Sequence, residues 1–553
     1  MSGGAGEDPR IDLVRLGPGR LPDWPLGEVF EAPDAPRDLA PALERRLAGS
    51  PADGWLLWHE RLGAPDPERI LRAWSRPGDL WHAGLRLGLG GQPELLDFVA
   101  PTWWLNRDAD ARIESTSWRA SLEACLLRTD VLRRIGVPRG EFRSLAGASL
   151  EFGHRCVGRG VLARHVPWLV DGDRTAASPH TPLPLEDAVR FVLWRYGSFW
   201  ARWAVLRAVS TGAAPASALR TLASLRREPR PPAPAPFRAD SGPAARTVSA
   251  PSVTVLIPTV DRYPYLRPLL DQLRRQTVPP LEILVLDQTR ADRRAEGLAA
   301  EFPDLPLRYF ALDKAGQCSS RNLGIHSARG EAILFLDDDD EVPPDLIERH
   351  LATMARFRSD VSSGVAEEDG AGALPESFRL FRASDVFPTN NSLARITALA
   401  GSGLFDLAYE RGARADGDLG MRLYLSGAFM VLDPGISVLH HHAPSGGLRT
   451  HKARVITRAS SRARLTQRHL PAVTEIYLAK RYFTPRQVRE ALWHRALGTL
   501  RGDGSAARRL AKLAVGAALL PDTFLRIRRT ARRAEAMLAE FPQIDSLRPG
   551  QRE

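Results

Sequence analysis

The apolar run Ala332-Ile333-Leu334-Phe335-Leu336 ends in four consecutive aspartates, Asp337 to Asp340, and no other feature constrains the fold of this chain as strongly. Such a junction reads as a buried strand whose carboxyl end opens into an acidic loop. Upstream, Val253-Thr254-Val255-Leu256-Ile257-Pro258-Thr259 reads as a second buried strand, running into a turn at Asp261-Arg262-Tyr263-Pro264. Leu266, Leu269, Leu270 and Leu273 keep helical spacing, Pro279-Pro280 stops the pattern, and Leu281 to Leu286 forms a further strand ending at Asp287. This β-α-β order predicts a parallel sheet whose strand ends gather Thr259, Asp261, Asp287 and the aspartate run at one edge. Open α/β sheets bind ligands at that edge. An acidic run alone is usually a solvated loop, but carboxylates delivered by a strand end suit a hard divalent cation. A G-x-G-x-x-G fingerprint after the first strand is absent, and so is a Walker loop.

Five pieces stand in order between residues 251 and 442. They are Pro258-Thr259 with Asp261-Arg262, the strand-end Asp287, the segment Gly316-Gln317-Cys318-Ser319-Ser320-Arg321-Asn322-Leu323-Gly324, the Asp-x-Asp of Asp337 to Asp339, and Asp416-Gly417-Asp418-Leu419-Gly420-Met421-Arg422-Leu423. This ordered set resembles the inverting family 2 glycosyltransferases of GT-A fold. The resemblance implies an α/β domain with a Rossmann-like mixed sheet flanked by helices. It further implies a nucleoside diphosphate sugar donor, uridine diphosphate by family habit, and as acceptor a hydroxyl of a glycan or polyprenyl-phosphate-linked glycan. By the same resemblance Pro258, Thr259, Asp261, Arg262, Asp287, Arg321, Asn322, Asp337 and Asp338 contact the nucleotide sugar. Asp337 and Asp339 would hold Mn²⁺ or Mg²⁺.

Inverting transfer also requires a base for the acceptor hydroxyl. Family members carry Glu-Asp at this point, whereas this chain has Ala415-Asp416; the base falls to Asp416, with Asp418 as its rival. Both aspartates also suit the first turn of a helix beginning near Leu419. In related enzymes a histidine closing a later strand completes the metal sphere, which makes His440 of His440-His441-His442 the third ligand; which of the three points inward is left open. The Gly-rich stretch from Ala443 to His451 reads either as a lid over the diphosphate or as an ordinary surface loop. Two competing readings are a nucleotidyltransferase, which would release pyrophosphate, and a scaffold of decayed domains.

The formal charge of +11 comes almost wholly from arginine, lysine occurring only at 314, 452, 480 and 512. It favours anionic partners such as nucleotide diphosphates, polyprenyl phosphates and membrane surfaces. No nucleic-acid-binding signature accompanies it. Cys125, Cys156 and Cys318 are too few and scattered for a disulfide framework or a zinc site. No signal pattern or spanning apolar stretch is found, so a cytoplasmic address is expected, with peripheral association at the inner membrane face. The Q-x-x-R-W signature of processive synthases is missing, which argues for one sugar per encounter.

The chain divides into residues 1–225, a Pro- and Arg-rich linker at 226–250, the transferase domain at 251–454, and a basic helical region at 455–553. In the last, Ala507 to Leu520 suits either an anionic membrane surface or packing on the catalytic domain. The first part repeats the third at an offset of 267: Arg128 falls on Arg395, Gly136 on Gly403, Gly153 on Gly420, Arg155 on Arg422, Gly160 on Gly427 and Pro167 on Pro434. Ser149 and Glu151 stand where Asp416 and Asp418 would, and His59-Glu60-Arg61 replaces the aspartates. With no convincing nucleotide-binding first strand, residues 1–225 read as a truncated, degenerate, non-catalytic transferase-like domain serving acceptor binding or assembly. Of its tryptophans, Trp103, Trp104 and Trp118 suit sugar stacking, although tryptophan is mostly a core residue.

Overall fold

The computed structural model describes residues 9–18, 23–90, 99, 105–172, 183–238, 250–295, 297–368, 372–443, 445–448 and 464–547. Two mixed sheets carry the fold. The first contains β1 (Ile11–Leu16), β2 (Val29–Ala32), β3 (Gly54–His59), β4 (Leu80–His82), β5 (Ser115–Thr116), β6 (Ala124–Arg128) and β7 (Ala163–His165), in the order β2-β1-β3-β6-β4-β7-β5. The second contains β8 (Val253–Thr259), β9 (Glu282–Asp287), β10 (Leu307–Ala311), β11 (Ala332–Phe335), β12 (Asp340–Glu341), β13 (Val361–Glu368), β14 (Arg382–Ala383), β15 (Ser392–Arg395) and β16 (Met430–His440). Its order is β10-β9-β8-β11-β15-β13-β16-β12, with β14 also pairing β16.

Strands β8, β9 and β11 are buried on both faces, which is why they read as continuous Val/Ile/Leu runs and pair in parallel. The helix Tyr263–Arg274 crosses over between β8 and β9, starting with Pro264 in its first turn, where a missing N–H costs nothing. Its Leu266, Leu269, Leu270 and Leu273 pack on Val255, Ile257, Ile283 and Leu334. The opposite face joins a core that continues from Leu256 and Phe335 to Trp55 and Phe152 of the first sheet's half.

The two sheets share one connectivity. Read as β9-β8-β11-β15-β13-β16-β14, the second sheet matches the first strand for strand, with the same parallel or antiparallel sense at every step. The registers coincide at the offset seen in sequence: Ser115 faces His165, and Arg382 faces Leu432, each 267 residues later. The first strand that the sequence does not show in residues 1–225 is present as β1, parallel to β3 as β8 is to β11. Its sequence, Ile-Asp-Leu-Val-Arg-Leu, carries a buried Asp12 and Arg15 that disguise a strand buried throughout. Glu28 N donates to Asp12 and Arg15 pairs with Glu60 at 2.8 Å, so both charges are compensated.

The halves meet across a contact that is itself repeated. A Cβ on Gly160 would lie 2.5 Å from the carbonyl oxygen of Phe381, and a Cβ on Gly427 would lie 2.5 Å from that of Glu114. Gly160 and Gly427 are 267 apart, as are Glu114 and Phe381, and both glycines have φ near +90°. The relation is that of an isologous dimer interface, realised within one chain. Leu162, Phe357, Phe381, Phe429 and Val431 fill the space between. The Pro-rich segment is anchored where it is described: Phe237 is buried with its N–H on the Arg159 carbonyl, and Arg238 pairs with Asp79 at 2.6 Å. Residues 239–249 of the linker lie outside the described residues, as do Trp103 and Trp104. Trp118 is core, stacked on Phe191, with its indole N–H on the Leu105 carbonyl.

The C-terminal region forms helices Val473–Tyr482, Pro485–Gly498 and Ala506–Glu540. One face of the last packs against the other two, through Lys512, Gly516, Thr523 and Ile527. Among the described residues no helix is long and apolar enough to cross a membrane. Because Gly427 combines a positive φ with a 2.5 Å approach, Gly427→Val is expected to cost roughly 3 kcal/mol. Urea unfolding of the full chain measures it, and Gly401→Val, whose Cβ would meet nothing within 4 Å, is the control.

Candidate active site

At the carboxyl end of β8, Pro258 pairs with Leu286 in the β8–β9 ladder and the Thr259 hydroxyl turns inward, donating to Asp338 Oδ2 at 2.7 Å. Asp261 follows in the left-handed region, φ 56°, fixed by its N–H on Thr289 Oγ1, with its carboxylate 3.0 Å from Arg293. Asp287, expected to contact the nucleotide sugar, is fully buried with both oxygens hydrogen-bonded. It accepts from the hydroxyls of Tyr263 (2.6 Å) and Tyr309 (2.5 Å) and from Thr289 N (2.8 Å). Burial together with this carboxylate pushes the Tyr309 phenol well above its ordinary range. Asp287 therefore ties the crossover helix, β10 and the following loop to one strand end. Its two tyrosines lie 24 and 22 residues away, a pairing no local pattern announces.

The aspartates divide by direction. Asp338 points back under the loop, receiving Thr259 and the Arg262 guanidinium at 2.9 Å, with its carboxyl pushed up to about 6 by burial. Arg262 also lies 3.1 Å from Asp339 and donates to the Ser445 carbonyl. Asp338, expected to contact the nucleotide sugar, thus holds the loop that presents its neighbours. Asp337 is partly exposed and paired with Arg321 at 2.9 Å. Asp339 accepts from Ala443 N at 2.8 Å. Asp340, held up to about 7 by burial, receives His440 Nδ1 at 2.9 Å and the Asp337 N–H. The register of β12 against β16 places Asp340 directly opposite His440.

One ligand atom each from Asp337, Asp339 and His440 lie within 4.8 Å of one another. Of the three histidines His440 is the one that turns inward; His441 pairs with Glu341 and His442 with Glu368. Two carboxylate oxygens and an imidazole nitrogen form a donor set suited to Mn²⁺ and acceptable to Mg²⁺. Burial works against the His440 cation, but the Asp340 hydrogen bond and the charges of Asp337, Asp340 and Asp339 raise its pKa. Behind this group, Gly446 and Gly447 lie against Arg262, each with positive φ; a Cβ on Gly447 would meet the guanidinium carbon at 2.5 Å. Ser445, Gly446 and Gly447 of the expected lid are therefore seated on Arg262.

Arg321 projects from the helix Gln317–Ser327 toward Asp337, whereas Asn322, its neighbour and an expected sugar contact, is spent on backbone. Asn322 donates to the Phe405 carbonyl and accepts the Phe405 N–H, both at 2.8 Å. Glu410, not singled out by any motif, accepts from Cys318 N and Ser319 N and so covers the amino terminus of the same helix.

On the helix Ala415–Leu425, Asp416 is exposed in the first turn, and among the described residues its carboxylate has no hydrogen bond or ion pair. Asp418 is fully buried. It accepts from Arg422 Nε at 2.9 Å, from Tyr482 at 2.7 Å and from Tyr409 at 3.4 Å, and burial raises its pKa. The rival base is therefore an internal anchor joining this helix to Val473–Tyr482. The same anchor recurs in the first half, where Glu151 pairs with Arg155 and Arg195. The change from Asp418 to Glu151 thus preserves an ion pair. Ser149, at the place of Asp416, is buried and accepts Leu122 N at 3.0 Å.

Residues 254–392 match the family described as glycosyl transferase family 2. The match places a segment similar to glycosyltransferase family 2 at the second sheet. YwdF of Bacillus subtilis, an uncharacterized glycosyltransferase, is 32% identical over 133 residues, covering 23% of this chain and 49% of its own. ExoO of Rhizobium meliloti, a succinoglycan biosynthesis protein, is 37% identical over 111 residues, covering 19% and 30%. The chain thus spans half or less of the length of these curated relatives. Among solved structures, S. aureus TarS 1–349 with UDP-GlcNAc aligns over 53% of this chain and 82% of its own at 18% identity, TM-score 0.35. The Pyrobaculum calidifontis mannosyltransferase with GDP-Man and Mn²⁺ aligns over 66% and 88% at 16% identity, TM-score 0.30. The matched segment lies in the mixed α/β sheet β8–β16.

The different surroundings of the two helix aspartates predict opposite outcomes. Asp418→Asn leaves Arg422 buried beside a neutral amide and is expected to cost about 3 kcal/mol or more. Asp416→Asn, at an exposed position, is expected to stay within about 0.5 kcal/mol of the parent. Denaturant unfolding of both variants reads the difference.

Proposed function

We propose that this protein transfers a single sugar, with inversion, from a nucleoside diphosphate sugar to a hydroxyl of a glycan or polyprenyl-phosphate-linked glycan. The observation that carries this reading is the convergence of Asp337, Asp339 and His440 at the strand end of a family 2 domain. Asp337, Asp339 and His440 are the residues that would hold Mn²⁺ or Mg²⁺. When bound, such an ion offsets the negative charge gathering on the leaving diphosphate.

The chain's own groups supply the rest. Arg262 and Asp338 keep the aspartate loop in one conformation. Arg321 carries positive charge to the rim beside Asp337, where it meets a diphosphate. Asp261 and Arg293 frame the partly exposed end of β8, the place left for the nucleoside once Asp287 is spent internally. Asp416 takes the acceptor proton, its carboxylate exposed and uncommitted in the first helical turn. UDP is the proposed carrier. The first half has Ser149 in place of Asp416 and His59-Glu60-Arg61, with Glu60 its one carboxylate and that paired with Arg15, in place of the aspartates, so we assign it no catalysis. The three cysteines are free and buried, which suits a reducing, cytoplasmic setting.

Thermal melting against uridine, guanosine and thymidine diphosphate sugars, each with and without Mn²⁺, tests donor and metal together. One donor at about a hundred times its dissociation constant should add about 2.7 kcal/mol of stability, and Asp339→Asn should lose that metal-dependent gain. Stabilisation by a nucleoside triphosphate with pyrophosphate release would support nucleotidyl transfer instead, and no stabilisation by any donor would leave the scaffold reading. Asp416→Asn is expected to lower turnover by at least about 10²-fold while donor affinity stays within about twofold; loss of donor binding would make Asp416 structural.

A further inference from the structure

The helix Ala506–Glu540 has one committed face and one bare face. On the committed side, Lys512 donates to the carbonyls of Arg464, Leu465 and Gln467, and Lys480 of the neighbouring helix reaches Glu535 at 2.7 Å. On the other side every exposed residue from 510 to 525 is apolar: three leucines, three alanines and Pro521. Leu510 is 66% exposed, Leu525 54% and Leu513 48%. Trp493, 48% exposed on the adjoining helix, packs its ring on Phe524 at 4.8 Å and extends the patch. At 1.5 Å per residue the stripe is roughly 22 Å long, and an apolar strip of this kind marks an interaction surface.

Arginine brackets the stripe at both ends. Arg508 and Arg509 precede it, and Arg528, Arg529, Arg532 and Arg533 follow, all exposed. An apolar middle between cationic ends is the signature of a helix lying in the plane of a bilayer, leucines at the acyl boundary and guanidiniums at lipid phosphates. A second copy of this chain fits less well, because pairing the stripes antiparallel would set one arginine cluster against the other. The helix does not meet the criteria for a membrane span.

We infer that this protein docks flat on an anionic lipid surface through the exposed face of Ala506–Glu540. The helix packs on Val473–Tyr482, whose Glu475 pairs with Arg414 and whose Tyr482 holds Asp418. A single helix thus separates the docking face from the helix that carries Asp416. Docking does not rest on the reaction assigned above, and its test uses no substrate.

The full chain is sedimented with vesicles of equal parts phosphatidylglycerol and phosphatidylcholine, and with phosphatidylcholine alone. The parent should partition onto the anionic vesicles and not the neutral ones. The triple variant Leu510→Glu, Leu513→Glu, Leu525→Glu and the quadruple variant Arg528→Gln, Arg529→Gln, Arg532→Gln, Arg533→Gln should each bind on the order of tenfold more weakly, with unchanged circular dichroism. If the triple variant misfolds, Leu510→Glu alone takes its place, expected to weaken binding about threefold. Absence of binding, equal binding to neutral vesicles, or binding indifferent to the leucines overturns the proposal. So does a lipid-free dimer of the parent that the leucine variant splits, which would assign the face to a second copy.

Discussion

The Arg262 guanidinium, lodged between Asp338 and Asp339 at 2.9 and 3.1 Å, is the interaction on which the rest of the site depends. Four adjacent carboxylates at a buried strand end would repel one another and shed their charge by taking up protons. Arg262 from the β8 turn, Arg321 from the following helix and His440 from β16 supply the opposing charge from three separate elements. Asp338 and Asp340 are turned inward to meet these groups, and that leaves Asp337 and Asp339 facing the His440 side. The arrangement is a preorganised loop, stiffened from below, with Asp337 at its partly exposed rim and the buried Asp339 behind it.

A second constraint is the relation between the halves. One connectivity is used twice, and the two copies meet through glycines that let backbone touch backbone at equivalent points. The helix bearing Asp416 is packed by this arrangement: Gly420 lies against the Asp385 carbonyl, and the Asp385 carboxylate in turn accepts Leu105 N from the first half. Residues far from the aspartates in sequence thereby set where the proposed base stands. The first half has kept the features that build this packing, including the Glu151–Arg155 pair, while Ser149 stands at the place of the proposed base.

Much of the second sheet was legible in sequence because its central strands are buried on both faces and read as unbroken apolar runs. The aspartate run, Asp416 and His440 were legible for the same reason, each lying where a regular element ends. The internal partners of Asp287, Asn322 and Asp418 were not legible. Each is a polar group buried beside the site, and its partners, Tyr309, Phe405 and Tyr482, lie 22, 83 and 64 residues away. Strand β1 went unseen because Asp12 and Arg15 interrupt its apolar pattern, and their compensation comes from other segments.

Sequence by itself determined the α/β class, the strand-end location of the carboxylates and the doubling of the chain, because hydrophobic periodicity and repeated spacing are local properties. Only the tertiary structure decided which carboxylates come together, which histidine joins them and which helix face stays bare. Those outcomes depend on where distant guanidiniums, phenols and backbone groups arrive. A buried charge must find its partner wherever the fold brings one, and the chain order carries no record of that meeting.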